Sequence, residues 1–153
     1  MADVGERERF ETLLEVLEEL REVNRYVPIL VEGARDVASL RALGFTGTVL
    51  TVHTGRPLYE TYEALAREHP LVIILTDWDR KGTRLLEEAE RAIGGSAGRI
   101  DRVWRDEIRR NLDLPIKDIE SLASYVRRGL AQWFRETLEE HVAKAPRHEH
   151  TGP

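Results

Sequence analysis

The chain contains no cysteine, which excludes disulfide bonds and thiolate metal sites. It also lacks any apolar run approaching the ~20 residues that a transmembrane helix needs. The first residues, MADVGERERFE, are too acidic for a secretory signal peptide. These absences predict a cytoplasmic protein with no membrane partner.

Basic residues are fewer than acidic residues in this chain. There are 23 lysines and arginines and 28 aspartates and glutamates, which gives a net charge of −5. This balance argues against a protein that coats nucleic acid non-specifically, but it leaves local recognition open because charge can be distributed unevenly. Lysine occurs only at positions 81, 117 and 144. Nearly all basic residues are therefore arginine, which suits bidentate contacts with phosphate.

A length of 153 residues, with 41% hydrophobic and 33% charged residues, is typical of one soluble globular domain with a real core. Apolar periodicity divides the chain into helices and strands. The predicted helices cover residues 9–23, 34–44, 56–70 and 81–95, and the predicted strands cover 26–33, 46–54 and 71–76, with a short fourth strand and a basic turn or helix within 98–112. Residues 116–145 predict one or two helices interrupted at Gly129, with a core-facing stripe of Leu122, Val126, Leu130, Phe134 and Leu138.

Strands that alternate with helices through short connections are typical of an α/β sandwich. We predict a three-layer, Rossmann-like sandwich with a mainly parallel four-stranded sheet and additional N- and C-terminal helices. The expected segments are an N-terminal helical extension at 1–25, the sheet domain at 26–113, C-terminal helices at 114–146 and a flexible tail at 147–153.

Carboxylates follow two of the predicted strands. The stretch VIILTDWDRKG, residues 72–82, places Asp77 and Asp79 two residues apart, so that both project to the same side of an extended backbone. Glu32 ends the first strand, immediately before Gly33. Ligands of parallel α/β sheets bind outside the carboxyl ends of the strands. If the two strands are neighbours, three carboxylates therefore converge at one edge of the sheet.

Three unpaired carboxylates in a partly dry cleft repel one another and raise each other's pKa, whereas a divalent cation removes the repulsion. Oxygen ligands without histidine or cysteine favour Mg²⁺, with Mn²⁺ as a possible substitute. Because Mg²⁺ commonly acts on substrate phosphates, the pattern predicts phosphoryl transfer or phosphodiester cleavage.

Simpler interpretations remain open for the same residues. Asp77 and Asp79 could be a helix N-cap and a solvated neighbour, and Glu32 could form a surface ion pair. Asp36 could be an ordinary acidic residue of an early helical turn. A basic group could be a salt-bridged helix face or, as we favour, a groove for phosphates; it comprises Arg99, Arg102, Arg105, Arg109 and Arg110.

Two stretches together resemble the Toprim domain, which is shared by type IA topoisomerases, bacterial primases, OLD-type nucleases and the nucleases that mature 5S ribosomal RNA. The family pattern is a strand ending in Glu-Gly, often followed by Asp, and a later strand ending in Asp-x-Asp-x-x-Gly. This chain has ILVEGARD at residues 29–36 and IILTDWDRKG at residues 73–82. The resemblance covers roughly residues 26–104, and the chain's size is similar to that of small stand-alone Toprim proteins of archaea and some bacteria.

The resemblance implies that Glu32 is an acid/base carboxylate and metal ligand, and that Asp77 and Asp79 are metal ligands with catalytic roles. It further implies supporting roles for three residues. At Gly33 and Gly82 the backbone would come close to substrate or turn sharply, and Asp36 would orient neighbouring groups.

One departure concerns the residues around Gly82. Type IA topoisomerases have an acid on each side of this glycine, whereas Lys81 and Thr83 stand there in this chain. This departure weakens the case for a second metal. It suggests instead that Arg80 and Lys81, at a helix N-terminus, meet a substrate phosphate.

The predicted function is a Mg²⁺-dependent small nuclease acting on RNA or DNA with structure or ends. A topoisomerase or primase would need further domains for which 153 residues leave no room. One alternative is a non-catalytic, Mg²⁺-dependent nucleic-acid-binding module within a larger protein assembly. Another is a phosphatase of the haloacid-dehalogenase type, although that family's Asp-x-Asp ordinarily follows its first strand.

Overall fold

The computed structural model of the protein describes residues 4–94 and 99–144. The described elements alternate between helix and strand, as the periodicity predicts. In chain order they are α1 (Val4–Asn24), β1 (Ile29–Val31), α2 (Ala34–Ala42), β2 (Val49–Thr51), α3 (Leu58–Glu68), β3 (Leu71–Ile74), α4 (Arg80–Gly94), β4 (Arg99–Asp101), α5 (Val103–Arg110) and α6 (Leu122–Lys144). The predicted tail at 147–153 lies outside the described residues.

The four strands form one sheet in the order β2-β1-β3-β4, and every pairing is parallel. Ile29 of β1 is in register with Val49 of β2 on one side and with Ile73 of β3 on the other. Pro28 stands immediately before β1, where its missing N–H removes no bond from the ladder. The carboxyl ends of the central strands β1 and β3 are therefore neighbours.

Side chains of the central strands alternate between two apolar cores, one on each face of the sheet. Ile29, Val31 and Ile73 belong to a core shared with α1, α2, α5 and α6. Leu30 and Ile74 belong to a second core shared with α3 and α4. Because continuous apolar strands are expected to be buried on both faces, this arrangement confirms the predicted three-layer α/β sandwich. No helix within the described ranges is long and apolar enough to cross a membrane.

Helix α6 differs from the sequence prediction in two ways. It starts at Leu122 rather than near Ile116, because Asp118 Oδ1 accepts the Ser121 N–H (2.7 Å) in a turn that precedes it. It also continues through Gly129, where the ring of Phe10 in α1 lies so close that a Cβ atom would clash with it. Gly129 therefore permits close packing of α1 on α6 and does not interrupt the helix.

The predicted core-facing stripe of α6 is correct for only its first two members. Leu122 and Val126 are buried, whereas Leu130, Phe134 and Leu138 are exposed. A helix turns once in 3.6 residues, so each step of four advances the side chain about 40° around the axis. Over four such steps the stripe leaves the core-facing side, which is why strict spacing by four was a wrong indicator of burial here.

Candidate metal and phosphate site

The acidic site lies where the two central strands end. Glu32 directly follows β1 and is only 7% exposed, and Asp77 follows the buried Leu75 and Thr76 beyond β3. The main-chain N–H of Asp77 donates to Glu32 Oε2 over 2.7 Å. Parallel pairing of β1 with β3 thus brings together two residues that lie 45 positions apart in the chain.

Asp36 lies in the first turn of α2 and is also buried. Its Oδ2 accepts the main-chain N–H of Gly33, the residue that caps this helix, over 3.0 Å. Burial raises the pKa of the Asp36 carboxyl, the Gly33 N–H opposes the rise, and the nearby charge of Glu32 adds to it. Asp36 is therefore electrostatically part of the same acidic cluster as Glu32.

Asp77 is the most perturbed acid of this cluster. Its pKa is raised to about 7, with burial as the largest cause, against the opposing effect of the Ile119 N–H, which donates to Asp77 Oδ1 over 3.1 Å. The charges of Glu32 and Asp36 and a hydrogen bond with the Glu32 carboxylate contribute to the same rise. The Asp77 carboxyl therefore retains a proton at pH values where an isolated aspartate has lost it.

The carboxylate of Asp79 is engaged at the start of α4. Its Oδ1 accepts the Gly82 N–H over 2.6 Å, which is the geometry of a helix N-cap. Gly82 itself packs so closely on the backbone of Asp77 that a Cβ atom would overlap it. At Gly82 the atoms that come close are therefore those of the protein's own backbone and not those of a substrate. At Gly33, by contrast, an added Cβ atom would meet nothing within 4 Å.

Arg105 fixes the loop that carries the two aspartates, a role that the sequence interpretation missed. Only 4% of this residue is exposed, and its guanidinium donates to the carbonyl oxygens of Thr76 (2.9 Å) and Asp77 (2.6 Å). The Trp78 indole N–H in turn donates to the Arg105 carbonyl over 3.0 Å. Helical spacing was the available signal, because Arg105 shares a face with the buried Ile108.

Three other members of that basic group make contacts within the fold, whereas the exposed Arg99 lies with Arg102 at a surface cleft beside β4, so a phosphate groove there stays a prediction. Arg102 pairs with Glu90 and Asp106, and Arg110 pairs with Glu107. Arg109 donates to carbonyl oxygens of the following loop, the shortest contact being 2.7 Å to Ile116. Their charges are thus used within the fold.

A short segment after α5, Lys117–Glu120, closes over the acidic cluster. The Lys117 carbonyl accepts the Trp78 N–H over 2.8 Å, and the Ile119 N–H reaches Asp77. The main chain of Glu120 also hydrogen-bonds to the Asp36 carboxylate. This irregular segment was predicted as part of a helix, and its backbone groups bind the site instead.

Arg80 and Lys81 are exposed at the N-terminus of α4, as the sequence predicts. Within the described ranges neither side chain takes part in an ion pair or hydrogen bond. Two free cations at a helix N-terminus, next to Asp79, form a surface that suits phosphate.

The donor chemistry of the cluster fits a hard divalent cation. Glu32, Asp36, Asp77 and Asp79 offer only carboxylate oxygens, and three of them lie close enough for their charges to interact. In the described part of the chain, no three acidic or histidine side chains are already placed to enclose a metal ion. Because Asp79 Oδ1 accepts the Gly82 N–H, Asp79 Oδ2 is the oxygen that could join Glu32 and Asp77 in binding a cation.

Comparison with known proteins shows the family of the chain. Residues 27–108 match the Toprim domain, and this range contains all four acids as well as Arg105. The chain belongs to the Toprim family. The Toprim match includes neither α1 nor the Lys117–Glu120 segment, although both pack on it.

About four fifths of the chain is similar to archaeal proteins. It is 40% identical to the UPF0292 protein MJ1624 of Methanocaldococcus jannaschii, over 80% of this chain and 96% of that protein. It is 37% identical to the UPF0292 protein PH1700 of Pyrococcus horikoshii, over 82% and 90% of the two chains. A solved structure of a putative protein from Aquifex aeolicus shares the fold, with a TM-score of 0.60 and 24% identity over 70% of this chain and 94% of that one. These likenesses agree with a small stand-alone Toprim protein.

Proposed function

We propose that this Toprim protein is a Mg²⁺-dependent small nuclease that acts on phosphodiester bonds of RNA or DNA in the cytoplasm. The observation that carries the proposal is the direct hydrogen bond from the Asp77 main chain to the Glu32 carboxylate. It holds carboxylates from two adjacent strand ends together in a buried position where their mutual repulsion favours a cation.

The residues of the site have separable roles in this proposal. When bound by Glu32, Asp77 and Asp79, Mg²⁺ would polarise the phosphate and offset the charge of the carboxylates. Glu32 contributes a ligand oxygen or accepts the proton of the attacking water. Arg80 and Lys81, free and exposed beside the acids, bind a substrate phosphate and neutralise developing charge. The open space at Gly33 allows the nucleic-acid backbone to come close.

A second candidate is a non-catalytic module that binds nucleic acid in the presence of Mg²⁺ within a larger assembly. The engagement of Asp79 as a helix cap favours it, because a carboxylate held by the Gly82 N–H is a weaker candidate for catalysis. The net charge of −5 points the same way, since it suits selective rather than extensive contact with nucleic acid.

The two candidates predict different effects on cleavage and binding when the charge of Glu32 is removed. We would incubate labelled structured RNA, single-stranded DNA and double-stranded DNA with wild type, Glu32→Gln and Asp77→Asn, with and without Mg²⁺. Glu68→Gln, an exposed acid at the end of α3, is the matched control. A nuclease cleaves one substrate class with Mg²⁺, retains cleavage in the control and loses it in both site variants. Wild type that binds one of these nucleic acids with Mg²⁺ but never cleaves it would instead support the binding module.

A further inference from the structure

The second half of α6 carries an exposed apolar ridge, which we define as Leu130, Phe134, Leu138 and Val142. These side chains are 49%, 71%, 50% and 65% exposed, respectively. They follow one another at intervals of four and so form a continuous row along the helix. Single exposed apolar residues are ordinary, whereas four in a row on one helix indicate a contact surface.

Helix α1 contacts a different side of α6 and leaves this ridge open. Arg7 of α1 donates to Thr137 Oγ1 over 2.8 Å, and its guanidinium lies 5.7 Å from the ring centroid of Trp133. It also approaches Glu140 at 3.9 Å. In the second half of α6 the contacts with Arg7 are thus made by Trp133, Thr137 and Glu140, while Leu122 and Val126 bury the first half, and the apolar ridge is left available to a partner.

Charge along α6 is divided into two blocks about the middle of the ridge. From residue 122 to 135 the charged residues are all basic: Arg127, Arg128 and Arg135. From residue 136 to 140 they are all acidic, namely Glu136, Glu139 and Glu140, and the basic Lys144 ends the helix beyond the ridge. Phe134 lies next to the point where the sign changes.

We propose that the ridge is a homodimer interface in which two copies of α6 pack antiparallel with Phe134 near the two-fold axis. In this arrangement Leu130 meets the partner's Leu138, and Arg128 of each copy lies beside Glu139 of the other. Rows of side chains spaced by four interdigitate at a crossing angle of about 50°. The residues on either side of Phe134 therefore form the contact.

The charge pattern favours a second copy over other occupants. A parallel pair would place Arg128 beside the partner's Arg128 and acid beside acid, which is unfavourable. An anionic lipid surface or a nucleic acid would be repelled by Glu136 and Glu139. Only the antiparallel pair of identical helices satisfies both blocks at once.

The first test is sedimentation velocity of the full chain from about 1 to 100 µM, where a dimer of moderate affinity dissociates on dilution. We expect wild type to change from monomer to dimer, and Phe134→Glu to weaken the dimer at least about tenfold. Tyr59→Glu is the matched control, because Tyr59 is an exposed aromatic on α3, which packs on the opposite face of the sheet. Circular dichroism checks that both variants fold. Wild type that is monomeric throughout, or a dimer that Phe134→Glu leaves intact, would overturn the proposal.

A second test uses charge reversal to establish the antiparallel orientation. Arg128→Glu and Glu139→Arg should each weaken the dimer alone, because each places like charges opposite one another. An equimolar mixture of the two variants should regain association, because both cross-contacts are then of opposite sign. Failure of the mixture to associate better than either variant would overturn the antiparallel arrangement. Phe134-dependent binding of monomers to vesicles of phosphatidylglycerol and phosphatidylcholine would replace the dimer with a membrane surface.

Discussion

The main-chain N–H of Asp77 donates to Glu32 Oε2 over 2.7 Å, which links the carboxyl ends of the two central strands of the sheet. The main chain of Asp77 thus orients the Glu32 carboxylate, although the carboxyl groups of these two residues repel each other. The arrangement is stable with a proton or a cation between the two carboxyls and unfavourable without either. The pH and metal dependence of the protein should follow from this pair.

Without metal, the protein should lose stability as pH rises towards neutrality. The pKa of Asp77 is raised from 3.8 to about 7 in the folded state. Its protonation therefore stabilises the fold fully below the unfolded pKa, and this contribution is lost as pH rises through about 7. Thermal unfolding in EDTA between pH 4 and 8 should show this decline for wild type and a flatter profile for Asp77→Asn. Parallel profiles for the two proteins would contradict the shifted pKa.

Arg105→Met should destabilise the fold by about 3 kcal/mol, because it leaves the Thr76 and Asp77 carbonyl oxygens without their donor. Urea unfolding measures the change. Arg99→Met is the control, since Arg99 is an exposed arginine on β4 and its loss should change the free energy of unfolding by less than about 0.5 kcal/mol. Equal effects of the two substitutions would show that Arg105 does not anchor the loop.

The two glycines of the family motifs should respond differently to alanine. Gly82→Ala should cost about 2 kcal/mol or more, because the new methyl group overlaps the backbone of Asp77. Gly33→Ala should cost no more than about 1 kcal/mol, because its methyl group meets no other atom nearby and its backbone is extended. Chemical unfolding of both variants checks the contrast. If Gly33→Ala retains stability but loses activity, this would identify Gly33 as a position of close substrate approach.

Arg80→Gln and Lys81→Gln should each weaken nucleic-acid binding without affecting stability, because both side chains are exposed and free. Each should reduce the slope of log K against log salt concentration by about 1, as expected for one lost phosphate contact. Fluorescence anisotropy at several salt concentrations measures the slope. Arg84→Gln, an arginine already paired with Glu88, should leave the slope unchanged; a change in all three variants would indicate a diffuse charge effect.

Sequence patterns were sufficient for the sheet and for the pair of strands that carries the acids. The apolar run at β3 predicts a buried parallel strand, the β-branched stretch at β2 predicts a second strand, and the places of Glu32 and Asp77 at strand ends predict their convergence. The observed strands are shorter than predicted, since β1 covers Ile29–Val31 within the predicted 26–33. Local patterns indicate which segments are extended but not how far each ladder continues.

Long-range contacts account for what the sequence did not reveal. Arginine is usually a surface residue. Arg105 is a buried hydrogen-bond donor only because the loop beyond β3 lies against it. The Lys117–Glu120 segment had a helical pattern, but its backbone groups bind Trp78, Asp77 and Asp36. Gly129 suggested a helix break, yet it gives room to Phe10, a residue more than a hundred positions away. Each of these contacts depends on tertiary packing, and only Arg105 had a local signal, its helical spacing from the buried Ile108.

The most direct test of the acidic site is a calorimetric titration of the full chain with Mg²⁺ at pH 6 and pH 8. We expect wild type to bind Mg²⁺ more tightly at pH 8, because the proton held by the Glu32–Asp77 pair must leave before the cation binds. Asp77→Asn should lose this binding, while Asp113→Asn, an exposed acid paired with Arg9, should retain it. Mg²⁺ binding that persists unchanged in Asp77→Asn, or that is absent from wild type at both pH values, would contradict a metal site at these strand ends.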